Sequence, residues 1–327
     1  MSPVTPPRTK PRLLAWPDVH LAEPVNAQAD LHAKPGNYGF KPNDSKPLVQ
    51  QDGLPQAQAK QVPPTDKVIS AIRSRISIAN DLNCKWDGQR AGPVQVRIRT
   101  GGTAQHPEEI VVDLPAVTKR RLALEARKLH VEPANILSIA QEAAAPQVAL
   151  ARFMGFNAPR PLAQIPASLA VLDVLSEVVH ELMIPLKART EVPRPHTLST
   201  KVIPVIPVPE YSSYPAGHMC AMACIVEVFL HVLQLPPGSE AAMRLVSEGK
   251  RIGKNRELAG LHTPGHTKAG STLGLSLAGA FLDSKFRKSV KLWDHLLAQA
   301  RDEWTHKKPP EGTSTAKRRI AKSAASV

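Results

Sequence analysis

Aromatic residues are scarce in this 327-residue chain: Phe, Trp and Tyr together make up 4% of it. A β-sandwich core relies on aromatic and β-branched side chains, so the scarcity favours helices packed through Ala, Leu, Val and Ile. Cysteine is almost as rare, with Cys84, Cys220 and Cys224 as the whole complement. An odd count without paired spacing argues against a disulfide framework. Cys220 and Cys224, four apart in a helical stretch, read instead as small apolar packing residues. Acidic residues are outnumbered, 28 Asp and Glu against 42 Lys and Arg, for a formal net charge of +14. That excess suits anionic partners: phosphorylated metabolites, nucleic acid or an acidic membrane surface. No apolar run resembles a secretory leader or reaches the roughly 20 residues needed to cross a bilayer, and no internal repeat is present. These absences lead to the expectation of a soluble, cytoplasmic protein.

Proline dominates residues 1–66, where Gly, Asn, Gln and Lys fill the gaps. Such a segment buries too little apolar surface to offset its ordering entropy, so it reads as an extended or disordered tail, with LLAW at 13–16 as a possible anchor. Residues 306–327 (HKKPPEGTSTAKRRIAKSAASV) form a basic tail suited to contact with nucleic acid or an acidic membrane. The folded part is expected over 67–305. Helical periodicity starts in DKVISAIRSRISIANDLN, whereas VQVRIR (94–99) and IVVDL (110–114) read as a short β-hairpin. Helices are expected over 116–130, 134–154, 167–187, 217–234, 238–254, 268–284 and 288–304. The run ASLAVLDVLSEVVHELMIPL is apolar around most of its circumference and predicts an inner helix. The fold class is therefore all-α, a helical bundle with a minor β-hairpin and disordered tails.

Between Glu191 and Pro215 six prolines forbid a regular helix, and a long irregular loop between two apolar helices points to function. Three segments at or near this loop carry chemistry. KARTEVPRP places six residues between Lys187 and Arg194. YPAGH places Ala216, Gly217 and His218 at a helix entry. NRELAGLH separates Arg256 from His262 by five residues. Two guanidinium forks and an ammonium match the oxygens of a tetrahedral oxyanion. Gly217 allows close backbone approach, and a helix N-terminus favours an anion. Two imidazoles supply a nucleophile and a proton donor near neutral pH. Each segment alone is ordinary; the three in this order carry the information.

The ordered set resembles the three-part signature of the type 2 phosphatidic acid phosphatase and vanadium-dependent haloperoxidase superfamily. That signature runs Lys, six residues, Arg-Pro; Pro-Ser-Gly-His; then Ser-Arg, five residues, His, three residues, Asp. The match spans Lys187 to His266, about a quarter of the chain. The resemblance implies a helical bundle of the acid phosphatase/vanadium haloperoxidase type. It also implies that Lys187, Arg194, Arg256 and the Gly217 N–H hold a phosphate, that His262 attacks phosphorus to form a phosphohistidine, and that His218 is the general acid and base. No cofactor is required for that reaction. In the haloperoxidase branch the same pocket holds vanadate through His262, with peroxide and halide as substrates.

The chain departs from the signature at Ala216 for serine, which leaves only a backbone N–H, and at Asn255 for serine. It also departs at His266, which stands for an aspartate that would orient the nucleophile. Glu227, Glu257 and Asp283 are candidate replacements for that carboxylate. His196, Tyr214 and His266 are further candidate pocket residues, with Tyr211 and Tyr214 placed to wall the entrance. Zinc is disfavoured, since Pro264 and Gly265 interrupt the helix that would pair His262 with His266. The expected function is hydrolysis of small phosphate monoesters. The alternatives are a vanadate-dependent haloperoxidase and a catalytically weakened basic protein that binds anions or nucleic acid.

Overall fold

A computed structural model of the chain describes residues 62–80, 85–102, 107–131, 139–140, 142, 149–151 and 164–305. Both tails, the LLAW segment and most of the helix expected over 134–154 lie outside the described residues. Nine helices and five short strands follow one another among them. The strands are β1 (Ser77–Asn80), β2 (Arg90–Ala91), β3 (Val94–Gly102), β4 (Pro107–Leu114) and β5 (Val117–Thr118). Of the helices, α1 (Thr65–Arg73) precedes β1 and α2 (Lys119–Arg127) follows β5. Next come α3 (Pro166–Thr190), the one-turn α4 (Pro195–Leu198), α5 (Gly217–Val232) and α6 (Glu240–Leu258). The last three are α7 (Pro264–Leu282), α8 (Ser284–Ser289) and α9 (Lys291–Thr305). The described protein is thus mostly helical, with a small antiparallel sheet.

The bundle is built around α5, whose residues Met219 to Val226 are all buried. A helix apolar on every side needs neighbours on every side, and α3, α6, α7 and α9 supply them. Two pairs of glycines set the closest approaches. A Cβ on Gly270 or Gly274 of α7 would lie 2.3 Å from the Ala216 carbonyl oxygen or 2.2 Å from that of Cys220. On the other flank, a Cβ on Gly249 or Gly253 of α6 would meet Val226 at 2.6 Å or Met219 at 2.5 Å. Each pair is four residues apart, hence on one helix face. The consequence is functional, because α7 is drawn against the very start of α5.

The hairpin expected over 94–114 forms as β3 and β4, with Val94, Val96 and Ile98 facing Leu114, Val112 and Ile110 on the buried side. It is enlarged by a strand that periodicity did not show. The helix expected through DKVISAIRSRISIANDLN stops at Arg73, and Ser77–Asn80 pairs with β3, Ile78 opposite Ile98. The alternation of I-S-I serves a strand as well as a helix, and only the neighbouring β3 decides between them. Start points shift for the same kind of local reason. The helix α1 begins two residues ahead of 67, behind Pro64. The helix expected from 268 begins at Pro264, behind the N-cap Thr263. The helix expected over 288–304 is split, because the Asp283 carboxylate caps a separate α8 through the N–H groups of Lys285 and Phe286. Among the described residues, no helix is long and apolar enough to cross a membrane.

Candidate active site

Five helix ends converge where the signature residues lie. Lys187 sits in the last turn of α3 and Arg194 at the N-cap of α4. Gly217 and His218 open α5 after a cis Tyr214–Pro215 bond, and Arg256 is in the last turn of α6. His262 occupies the turn between α6 and α7, reached through Gly260 at φ +75°, a left-handed conformation that glycine adopts without strain. His266 lies in the first turn of α7. Main-chain bonds tie these ends together. The Ala216 N–H donates to the His266 carbonyl at 3.0 Å, and the Arg256 carbonyl accepts from Leu261 and His262.

Side chains then meet inside. Lys187 Cε would be 3.6 Å from a Cβ on Gly217, so the lysine stem runs past the opening turn of α5. Its Nζ donates to the Ser212 carbonyl at 2.9 Å. Arg194 donates through Nη1 to the Leu261 carbonyl at 3.2 Å and through Nη2 to the Tyr211 carbonyl at 3.0 Å. The same Nη1 stands 3.5 Å from His262 Nε2. The His262 and His266 rings are edge to face with centroids 5.9 Å apart. Lys187, Arg194 and His262 are at most 6% exposed and His266 is fully buried. His218 is half-buried and acts electrostatically on His262.

Among the described residues, no carboxylate acts on Lys187, Arg194, His262 or His266. Burial pushes the Lys187 ammonium down to about 7, with Arg194 adding to the shift, and burial brings Arg194 down to about 10. His262 is held well below the usual imidazole range by burial first, then by Lys187, Arg194, His266 and His218. His266 falls to about 3 through burial, Lys187 and Arg194. Arg194 Nε, His262 Nδ1 and His266 Nε2 are buried and have no hydrogen-bond partner among the described residues. Buried polar atoms without a partner cost stability, so this cluster marks a candidate site.

Several expectations change in detail. The Ala216 N–H is engaged by the His266 carbonyl and is not available to a guest, which leaves the first-turn N–H groups from Gly217 onward. Tyr214 does not wall an entrance. It is fully buried, its hydroxyl donates to the Pro115 carbonyl at 2.8 Å, and its ring stands edge-on to His266 at 5.8 Å. Arg256 joins the group by its main chain. Its Nη2 donates to the Ile139 carbonyl, the carboxylate of Glu142 acts on it, and its Nε and Nη1 have no partner among the described residues. His196, on α4 beside Arg194, is half-buried with Nδ1 likewise unpartnered.

None of the three candidate carboxylates replaces the missing aspartate. Asp283 is the α8 cap, Glu257 accepts from the Thr267 side chain, and Glu227 has one buried oxygen without a partner among the described residues. His266 has a local duty of its own. Its Nδ1 accepts the Thr263 N–H at 3.3 Å, closing a capping box in which histidine stands at the position usual for Glu or Gln. Thr263-Pro264 was a readable helix-start signal for that arrangement. Glu142 was not readable. It binds Asn255 and Arg251 from a distant part of the chain and carries no sequence pattern. Glu125 is a further residue not foreseen, accepting the Gly265 N–H at 3.0 Å and so closing the α7 N-terminus to an outside anion.

Among the described residues, no three His, Cys, Asp or Glu side chains group as metal ligands. Compared with models of protein families and with curated proteins, the sequence matches none.

Proposed function

We propose that the cluster is an oxyanion pocket and that the protein hydrolyses phosphate monoesters through a phosphohistidine. The observation that carries this reading is the buried set of Lys187, Arg194, His262 and His266 with no carboxylate among them. Charges of one sign brought together out of water destabilise a fold unless something neutralises them, and a phosphate dianion does so.

The geometry supports the following roles. Burial and the neighbouring cations favour the neutral form of His262; in the tautomer protonated at Nδ1, Nε2 carries the lone pair and lies beside the guanidinium that would hold the phosphoryl oxygens. Attack of Nε2 on phosphorus forms the P–N bond while the ester P–O bond breaks in line. His218 protonates the departing alkoxide. A water molecule then attacks phosphorus, gives its proton to His218 and releases inorganic phosphate from His262. Lys187, Arg194 and the N–H groups at the start of α5 stabilise the charge on the equatorial oxygens, with Arg256 assigned the same role through its unpartnered nitrogens. With His266 in place of an aspartate, the negative charge opposing a cationic His262 comes from the substrate itself.

One observation favours a second reading, a vanadate-dependent haloperoxidase. Among the described residues no carboxylate is hydrogen-bonded to His262 or His266, and an imidazole needs less activation to ligate a metal than to attack phosphorus. The same donors fit vanadate, with His262 Nε2 as the ligand, and vanadate supplies a Lewis acid for peroxide.

The test is an assay of the purified protein with a chromogenic phosphate ester, then with vanadate, peroxide and bromide. The expected result is ester hydrolysis that vanadate inhibits and that His262→Ala lowers by roughly a thousandfold or more. Bromination that requires vanadate would move the assignment to the second reading. Absence of both activities, or equal hydrolysis by His262→Ala, sinks the enzyme reading.

A further inference from the structure

The helix α2 carries positive charge where a helix gains nothing from it. Its first three residues are Lys119, Arg120 and Arg121, and its first turn has no acidic residue. Cations at that end oppose the helix dipole, so helix stability does not account for them. Arg127 and Lys128 stand at the other end. The only acidic side chain of the helix, Glu125, is committed: it accepts from Arg121 at 2.9 Å and from the Gly265 N–H at 3.0 Å. Lys119, Arg120, Arg127 and Lys128 are exposed and form no ion pair among the described residues.

The charges are also ordered in space. Leu122 and Ala126 are the buried residues of the helix. Arg120, Leu124, Arg127 and Lys128 follow one another at i, i+4, i+7 and i+8, which puts them together on the opposite, outer face. That face is fixed to the scaffold. The Thr118 side chain caps the helix by accepting the Arg121 N–H at 3.3 Å, the Lys119 N–H donates to the Gln89 carbonyl at 2.6 Å, and α2 packs on α4 and α7. From Arg120 to Lys128 the row is about 12 Å long. It matches three to four successive phosphates of one strand, at about 3.4 Å each.

We infer that the outer face of α2 is a docking surface for the phosphate backbone of nucleic acid. Two unpaired guanidinium forks, Arg120 and Arg127, fit phosphate oxygens in a bidentate manner, and Lys119 and Lys128 add point charges. Contacts of this kind hold the backbone without reading base sequence. An acidic membrane is the poorer partner. Leu124, 52% exposed, is the one apolar side chain in the row, whereas a helix lying in the headgroup layer buries a whole apolar face. The surface is separate from the His262 cluster, and its occupant does not depend on what that cluster binds.

The experiment is fluorescence anisotropy of a labelled 20-base-pair DNA duplex with the full chain, repeated across a series of salt concentrations from 50 to 300 mM. Arg120→Gln/Arg127→Gln/Lys128→Gln is compared with a control of equal charge, Lys201→Gln/Lys288→Gln/Lys291→Gln, which removes three exposed lysines elsewhere. The α2 variant is expected to bind roughly tenfold or more weakly at 50 mM salt, and its slope of log affinity against log salt should be shallower by about 2.7. The control should keep the slope of the wild type. Absence of duplex binding by the wild type, an unchanged slope in the α2 variant, or equal losses in both variants overturns the surface. Binding to phosphatidylserine vesicles that needs the α2 cations, with duplex binding that does not, overturns nucleic acid as the occupant. Thermal melts establish that each variant is folded. Should the triple variant melt early, Arg120→Gln and Lys128→Gln singly give the same reading, each taking about 0.9 from the slope.

Discussion

The two ends of α3 answer their polar groups in opposite ways. At the N-terminus the carboxylate of Glu303, from α9, accepts the N–H groups of Ala167 and Ser168 and the Ser168 hydroxyl, while Trp304 donates to that hydroxyl. Positive helix dipole meets negative side chain, and the end is closed from within the chain. At the C-terminus Lys187 is carried into a group of cations and imidazoles that holds no carboxylate. The first end contributes stability; the second costs it. A fold tolerates such an end when a ligand repays the penalty, and that contrast separates scaffold from site more clearly than burial does, since both ends are covered.

The largest expected consequence of breaking the contrast lies at the open end. Arg194→Ala removes the fork beside His262 and is expected to lower kcat/KM by roughly a hundredfold, while Arg194→Lys recovers only part of it because the second N–H arm is lost. Steady-state kinetics on a phosphate ester checks this. Supplying the missing charge works in the other direction: His266→Asp places a carboxylate near His262 and is expected to raise kcat about tenfold. An unchanged or lower kcat in a folded variant would show that no carboxylate is needed there.

The pH dependence tests the same end. Lys187 is depressed to about 7 from 10.5, so above pH 7 the folded, empty protein loses a proton that the unfolded chain keeps. Stability of the empty protein therefore rises with pH between about 7 and 10.5. Anion affinity runs the opposite way, because the protonated ammonium is the form that binds. Affinity for sulfate, whose own charge is constant, is expected to fall up to about fiftyfold from pH 7 to 9. In Lys187→Arg the fall should vanish; a fall of the same size in that variant would exclude Lys187 as its source. The smallest effect on function is predicted at the closed end. Glu303→Ala should lower stability by about 2 kcal/mol, or about 6 °C in Tm, and leave KM unchanged. A change in KM would mean that the two ends of α3 are coupled.

Much of this arrangement was legible in the order of residues. The apolar circumference of 167–186 announced a buried helix, YPAGH announced the start of α5, and the prolines of 193–215 announced the irregular segment that carries Arg194 and Tyr211. Lys187, Arg194, His262 and His266 were named from motif spacing, and their side chains do meet. Less legible were features that depend on a partner far along the chain. Ile78 became a strand residue because β3 lay beside it. Tyr214 went inward because Pro115 offered its hydroxyl an acceptor and His266 an edge for its ring. The Ala216 N–H was engaged because Gly270 let α7 come close enough for the His266 carbonyl to reach it.

By itself, then, the sequence determined the largely helical content, the start of α5 at YPAGH, and which cations and imidazoles the chain carries. These follow from local rules of periodicity, capping and side-chain chemistry. Only the tertiary structure decided that Lys187, Arg194, His262 and His266 are buried with no carboxylate acting on them among the described residues, and that Tyr211 is exposed while Tyr214 is buried. Desolvation and the absence of a neighbouring carboxylate are properties of the space around a residue, and that space is filled by segments tens of residues away.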